Sequence, residues 1–237
     1  MSLGVTGRYR HNLTTVVNID LSHDLPSRLV RLVGRELEIE TLHAHLGDPA
    51  DGQRVILLSG LGGIGKTQLA LHYLERYNTV YQAVFWVRSS SEKDIVLSFR
   101  DIGRNLTHAV CAVSPATTEA EAARAIGLPR ADSSFSGQNL GYFDITTDDL
   151  IQAVKRYLSR RQNERWILVF DGWDSPDMID IKTCFPSAKH GHILITTQQR
   201  DSVPWAISLE LSGLNVQMGL KLLFHRLPEI FDQPLGG

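Results

Sequence analysis

The stretch Gly60-Leu61-Gly62-Gly63-Ile64-Gly65-Lys66-Thr67 follows directly after the short apolar run Val55-Ile56-Leu57-Leu58. It fits the pattern G-x-x-x-x-G-K-[ST], which joins a buried strand to the start of a helix. Glycines let such a loop curl so that successive backbone N–H groups face one point. The following helix adds its partial positive charge and its free N–H groups. The stretch therefore predicts a loop that binds the phosphates of a nucleotide.

Two side chains of this loop have expected roles. Lys66 would bring a full positive charge to the β- and γ-phosphates, and the hydroxyl of Thr67 would ligate Mg²⁺. The expected phosphate site comprises Gly60, Gly62, Gly63, Ile64, Gly65, Lys66, Thr67 and Gln68.

A second motif is the apolar run Arg165-Trp166-Ile167-Leu168-Val169-Phe170-Asp171, a strand that ends in a carboxylate. We expect this strand to lie beside the strand of the phosphate loop and Asp171 to reach Mg²⁺. The next residue is Gly172, where many hydrolysing proteins with this motif carry a second acidic residue. Asp174 is the nearest substitute for polarising the attacking water, and the alternative for it is a surface turn residue. The sequence thus predicts binding and leaves hydrolysis open.

A third motif is the apolar strand in residues 191–200, GHILITTQQR. If this strand is the next one over from the phosphate-loop strand, its Thr-Thr end places hydroxyls, including that of Thr197, near a γ-phosphate. Arg200 is a candidate phosphate sensor, and the alternative is a solvated arginine that follows a strand.

Hydrophobic patterning predicts an α/β fold, a doubly wound parallel sheet with a five-stranded core. Strands are expected at residues 55–58, 83–87, 166–170, 192–196 and 206–209, and helices at 35–46, 66–77, 91–106, 118–126, 148–160 and 214–227. Residues 1–30 are interpreted as an arm or linker, 31–212 as the nucleotide-binding domain, and 213–237 as the start of a helical subdomain. A Ser/Gly/Asn-rich insertion is expected at about residues 107–147.

Composition excludes several classes of protein. The 237 residues carry 24 basic and 26 acidic side chains, a net charge of −2, which argues against sequence-independent nucleic-acid binding. Cys111 and Cys184 are too few for a disulfide scaffold, and no apolar run is long enough to cross a bilayer. We therefore expect a cytoplasmic protein. The pairs His43/His45 and His190/His192 are predicted to be surface histidines because no cysteine or carboxylate cluster completes a metal site.

Five segments together resemble the NB-ARC domain, the nucleotide-binding domain of plant disease-resistance proteins, the apoptotic protease-activating factor and many fungal NOD-like receptors. The segments are LVGRE (32–36), SGLGGIGKTQLAL (59–71), VFWVRSS (84–90), WILVFDGWD (166–174) and GHILITTQQR (191–200), and the likeness to the fungal type is the strongest. The resemblance extends over about residues 32–227.

The resemblance implies roles for individual residues. Val33, Gly34 and Arg35 would line the adenine site, residues 62–67 would hold the phosphates, and Asp171 would address Mg²⁺. The family's usual arginine after the Thr-Thr pair is replaced here by Gln198. Either Arg200 takes over its role or the γ-phosphate sensor is lost. Residues 207–224 resemble the last strand and the first helix of the adjoining helical (ARC1-like) subdomain.

The function that the resemblance implies is a switch controlled by ATP, ADP and Mg²⁺ within a NOD-like receptor. The ADP form would be closed, the ATP form would assemble into a homo-oligomer, and slow hydrolysis using Lys66, Asp171 and Asp174 would reset it. The other domains of the receptor would be its partners, and the outcome would be incompatibility, innate-immune signalling or programmed cell death. Two alternatives remain: a scaffold that holds nucleotide without turnover, and a metabolic P-loop kinase.

Overall fold

Strands and helices alternate along the chain in the computed structural model, which describes residues 34–128, 146–200 and 202–226. The strands are β1 Arg54–Ser59, β2 Ala83–Arg88, β3 Trp166–Asp171, β4 His192–Thr197 and β5 Ile207–Glu210. The helices are α1 Glu36–Leu46, α2 Lys66–Arg76, α3 Glu92–Val113, α4 Glu119–Ile126, α5 Thr147–Leu158 and α6 Val216–Arg226, with a short 3₁₀ helix at Ile181–Cys184. Within these ranges no helix is long and apolar enough to span a membrane.

The five strands form one parallel sheet in the order β2-β3-β4-β1-β5. This confirms the predicted α/β fold, but the prediction that β3 lies beside β1 is wrong. Strand β4 lies between them: it pairs with β1 on one edge and with β3 on the other. Parallel strands are joined by long crossovers, so the order along the chain does not fix which strands are neighbours. Strand β4 consequently lies between the strand that ends in Asp171 and the strand that leads into the phosphate loop.

Successive strand residues point to opposite faces of the sheet, and each face is covered by helices. One face packs against α3, α4 and α5 through side chains that include Phe85, Leu168 and Ile193. The other face packs against α1 and α2 through side chains that include Ile56 and Ile167. This explains the unbroken apolar runs of the central strands, which are buried on both sides.

Helix α3 is longer than the sequence pattern predicts, because it continues to Val113 instead of ending at Leu106. Thr107 and Val110 are both buried, and Thr107 donates a hydrogen bond from its hydroxyl to the carbonyl of Gly103 in the preceding turn. The first part of the predicted insertion therefore belongs to a core helix. The Ser/Gly/Asn-rich part, residues 129–145, lies outside the described residues.

The predicted helix caps are present. Ser91 caps α3 by accepting a hydrogen bond from the backbone N–H of Asp94. Thr118 and Glu121 form a reciprocal capping box at the start of α4, and Gly127 ends that helix in the left-handed conformation. Local sequence chemistry thus sets these helix ends correctly.

The prediction of surface histidines is wrong for His190 and His192, which are both buried. His190 forms a 3.0 Å hydrogen bond to the carbonyl of Leu158. Nδ1 of His192 lies 2.7 Å from the hydroxyl of Tyr81, which in turn lies 2.9 Å from the hydroxyl of Tyr73. These histidines take part in buried polar contacts, although Nε2 of His192 has no hydrogen-bond partner among the described residues.

Candidate phosphate-binding site

The glycine-rich loop leaves β1 at Gly60 and enters α2 at Lys66. The N–H of Gly60 donates a 3.2 Å hydrogen bond to the carbonyl of Thr197, which anchors the start of the loop to the end of β4. Gly63 and Gly65 have φ angles of +74° and +102°. A Cβ at either position would meet no atom within 4 Å, so glycine is needed there for its backbone conformation and not for space.

Lys66 lies in the first turn of α2 and folds back over the loop. Its ammonium donates hydrogen bonds to the carbonyl of Gly60 at 2.8 Å and to that of Leu61 at 3.0 Å. The lysine charge is therefore at the beginning of the loop, close to the end of the sheet. Gln68, the last of the predicted loop residues, lies in the same first turn of α2.

Asp171 at the end of β3 accepts hydrogen bonds from two hydroxyl groups, one at the end of the phosphate loop and one in β4. Thr67 donates a 2.8 Å hydrogen bond to its Oδ1 atom, and Thr196 donates one of 2.7 Å to the same oxygen. The Thr196 hydroxyl also accepts a 2.9 Å hydrogen bond from the N–H of Gly172. The structure thus brings together Thr67 and Asp171, although β4 lies between their strands.

The other residues predicted after β4 are engaged elsewhere. The hydroxyl of Thr197 accepts a 3.0 Å hydrogen bond from the N–H of Gln199. Arg200 pairs with the carboxylate of Glu210 at the end of β5, and its side chain is 64% exposed. Strand β5 borders β1 on the side away from β4. Arg200 is thus held by an acidic partner on the surface, away from Asp171.

Asp174, the candidate for polarising the attacking water, is hydrogen-bonded to Gln198. Its Oδ1 atom accepts a 2.6 Å hydrogen bond from the N–H of Gln198, and its Oδ2 atom accepts one of 2.7 Å from the Gln198 side chain. The loop after β3 and the loop after β4 are therefore linked by this pair.

The family of the chain follows from its sequence. The profile of the AAA ATPase domain matches residues 31–184, which include α1, the phosphate loop and Asp171. The chain belongs to the AAA ATPase domain family.

One curated protein and two solved structures are similar to this AAA ATPase domain. A late blight resistance protein homolog of Solanum demissum is 28% identical over 188 residues, or 79% of this chain and 20% of that protein. Cdc6p of Pyrobaculum aerophilum matches in structure with a TM-score of 0.53 and 16% identity, covering 85% of this chain and 51% of that chain. A STAND protein with a tetratricopeptide repeat sensor from Pyrococcus horikoshii has a TM-score of 0.45 and 17% identity, covering 84% and 26% of the two chains. The chain thus spans about a fifth of the length of this curated protein.

The residues predicted to line the adenine site lie where the chain enters α1. The buried guanidinium of Arg35 donates to the carbonyl of Ser212 at 2.7 Å and to that of Ile64 at 3.4 Å. It thereby ties the entry to α1 to the phosphate loop and to the connection between β5 and α6. Gly34 lies directly under Met218 of α6. Val33, also predicted for the adenine site, lies outside the described residues.

The donor atoms of this AAA ATPase domain fit a magnesium nucleotide. The Thr67 hydroxyl and the Asp171 carboxylate are hard oxygen donors, and Mg²⁺ is typically held by one or two carboxylates together with substrate phosphates. Among residues 34–128, 146–200 and 202–226 no cluster of three or more His, Cys, Asp or Glu side chains could hold a metal alone. Phosphate oxygens and water molecules would therefore complete the coordination.

The sequence analysis did not select Thr196, Gln198 or Met218, which contact the candidate residues Asp171, Asp174 and Gly34. The Thr-Thr pair indicated the end of β4. The structure then shows that Thr196, and not Thr197, donates a hydrogen bond to Asp171. The signal was the alternation of side chains along a strand, which puts the two threonines on opposite faces. No sequence signal indicates that Met218 covers Gly34.

Proposed function

We propose that this AAA ATPase domain binds ADP or ATP, with Mg²⁺, at the phosphate loop. The observation that carries the proposal is the 2.8 Å contact between Thr67 and Asp171, next to the loop-bound ammonium of Lys66. One cation, one hydroxyl and one carboxylate at the mouth of a curled loop supply what a magnesium polyphosphate requires. Gly34 and Arg35 are proposed to lie beside the adenine, since Arg35 joins that segment to the loop.

We further propose that the domain is the nucleotide switch of an NB-ARC-type receptor. Support comes from its membership of the AAA ATPase domain family, from the resistance protein homolog that is 28% identical, and from the NB-ARC-like segments. A nucleotide can switch a protein only by binding one of its conformations more tightly. In this proposal the triphosphate favours a homo-oligomer together with the other receptor domains, in the cytoplasm, and the output is immune or cell-death signalling.

The proposed domain division is supported by α6. Val216, Leu220 and Leu223 are exposed on this helix, with 79% exposure for Val216. Exposed apolar side chains at helical spacing are typical of a surface that meets another part of a protein. We therefore propose that residues 213–237 begin a helical subdomain.

Hydrolysis is proposed to be slow. The position after Asp171 is Gly172, which has no side chain to activate water, and both carboxylate oxygens of Asp174 accept hydrogen bonds from Gln198. The same observations favour the second candidate function, a scaffold that holds nucleotide without turnover. A single-turnover assay separates the two, because a slow ATPase releases phosphate within hours and a scaffold does not.

Titration calorimetry with ADP and Mg²⁺ tests the binding proposal. Lys66→Ala removes the loop charge and should weaken ADP binding by at least about a hundredfold, as expected for loss of a charged phosphate contact. Lys189→Ala, at an exposed lysine outside the site, is the matched control and should bind normally. Equal ADP affinity of the Lys66→Ala and wild-type proteins would refute the assignment.

A further inference from the structure

Gln198 and Asp174 form a closed pair that fixes the orientation of the Gln198 amide. The Asp174 carboxylate accepts from the backbone N–H of Gln198 at 2.6 Å and from its Nε2 atom at 2.7 Å. An ionised carboxylate offers only acceptors, so the amide nitrogen has to face Asp174. The amide oxygen, Oε1, must therefore point away from Asp174.

This oxygen lies against the phosphate loop. A Cβ built on Gly62 would be 3.0 Å from Oε1 of Gln198, so the amide lies close to the loop at Gly62. The preceding residue, Leu61, accepts a 3.0 Å hydrogen bond from the Lys66 ammonium. The lysine of such a loop serves the β- and γ-phosphates. The Gln198 oxygen is thus beside the part of the loop that meets the terminal phosphates.

We propose that the Asp174–Gln198 pair makes this site prefer a nucleoside diphosphate over the corresponding triphosphate. An amide oxygen cannot donate to a phosphate oxygen, and the Asp174 carboxylate behind it adds a negative charge that repels further phosphate charge. For Gln198 to donate to a third phosphate, its amide must turn and lose its bond to Asp174. This inference rests on the proposed function, since it needs a nucleotide in the loop.

In this inference Asp174 is a positioning residue and not the water-activating group. Both of its oxygens accept hydrogen bonds from Gln198, which hold the carboxylate toward the loop after β4. Discrimination against the triphosphate and slow turnover would then have one structural cause. Opening the pair would be the step that admits a triphosphate.

The test measures the Kd of ADP and of a non-hydrolysable ATP analogue by calorimetry with Mg²⁺ present. The wild-type domain should bind ADP at least about tenfold more tightly than the analogue. Gln198→Arg supplies a donor and a positive charge, and Asp174→Asn removes the negative charge. Both should lower the preference for ADP by at least about fivefold.

Gln199→Arg is the matched control, because it adds the same charge at an exposed neighbouring residue that does not bond the Asp174 carboxylate. It should change the preference less than about twofold. Melting temperatures identify a variant that does not fold. If Asp174→Asn does not fold, the nucleotide preference of Gln198→Arg tests the inference on its own. ADP binding without preference, or an unchanged preference in Gln198→Arg, would overturn this inference alone. Failure of both nucleotides to bind the folded wild-type domain would overturn the proposed function with it.

Discussion

The hydroxyl of Thr196 donates a 2.7 Å hydrogen bond to Oδ1 of Asp171, which joins the ends of the neighbouring strands β4 and β3. Thr196 is almost fully buried, and its oxygen also accepts the N–H of Gly172. One side chain therefore holds both the candidate magnesium ligand and the backbone that follows it. Sheet order makes this possible, because β4 lies between β3 and the strand of the phosphate loop.

Replacement of Thr196 by valine tests this positioning role. Thr196→Val keeps the shape but leaves the N–H of Gly172 unpaired, which should lower the unfolding free energy by about 1–3 kcal/mol. Urea unfolding measures the loss, and calorimetry should show weaker Mg²⁺-dependent ADP binding because Asp171 is less well oriented. Thr196→Ser retains the hydroxyl and should restore the Mg²⁺ dependence. If serine and valine behave alike, the hydroxyl has no positioning role.

Asp171→Asn should separate metal binding from nucleotide binding. Asparagine keeps an oxygen that can accept from Thr67 and Thr196 but removes the negative charge that attracts Mg²⁺. We expect the gain in ADP affinity on adding Mg²⁺ to fall by about tenfold or more, with little change in affinity measured in EDTA. Asp177→Asn, at an exposed carboxylate in the loop after β3, should leave the gain intact. If Mg²⁺ still raised the ADP affinity of Asp171→Asn as much as that of the wild type, other residues would hold the metal.

The phosphate loop and the helix caps could be predicted because their signals are local. Gly65 is required by its own backbone conformation, and the capping box of Thr118 and Glu121 spans one helical turn. The exact end of α3 was less predictable, since Thr107 is held in the helix by its burial in the core. The fold class follows from alternating apolar runs, each of which marks a strand buried on both faces.

The neighbours of each strand and the contacts between loops could not be predicted. A crossover helix can place its strand beside any earlier strand, so nothing near Asp171 in the sequence shows that β4 lies between its strand and β1. The Asp174–Gln198 pair joins two loops that are distant along the chain. The burial of His192 depends on α1 and α2 covering its end of the sheet, which a spacing argument about histidines does not include.

Gly34→Ala should destabilise the corner where the chain enters α1. Gly34 has a φ of +72°, and an added Cβ would lie 2.7 Å from the Cγ and Sδ atoms of Met218. The left-handed conformation alone costs a non-glycine residue about 1–2 kcal/mol. Thermal unfolding should show this loss, and Met218→Ala in the same protein should recover only the part due to the contact. Complete recovery of the thermal stability would mean that backbone strain at residue 34 contributes nothing. An unchanged stability of Gly34→Ala would contradict the observed geometry.

The buried His192 should make the stability of the domain depend on pH. Burial, and then the nearby positive charge of Arg54, lower the pKa of His192 from its usual 6.5 to about 4, against a weaker opposite effect of Asp48. Burial also raises the pKa of Tyr73 to about 12 and that of Tyr81 still further, so both phenols stay protonated. The imidazole is therefore neutral in the folded protein at pH 7.

The sign of the effect follows from which state binds the proton. Between pH 6.5 and about 4 the unfolded chain protonates His192 while the folded protein does not, so acid favours unfolding. The unfolding free energy should fall by at most about 3 kcal/mol from this residue as the pH drops through that range. Urea unfolding of the wild-type and His192→Gln proteins at pH 7 and pH 4.5 measures it, because carboxylate titration is common to both. The difference in unfolding free energy between the wild-type and His192→Gln proteins should be smaller at pH 4.5 than at pH 7. The control His45→Gln, at an exposed histidine, should show the same pH dependence as the wild type. A difference that is constant with pH would show that His192 does not carry the acid sensitivity.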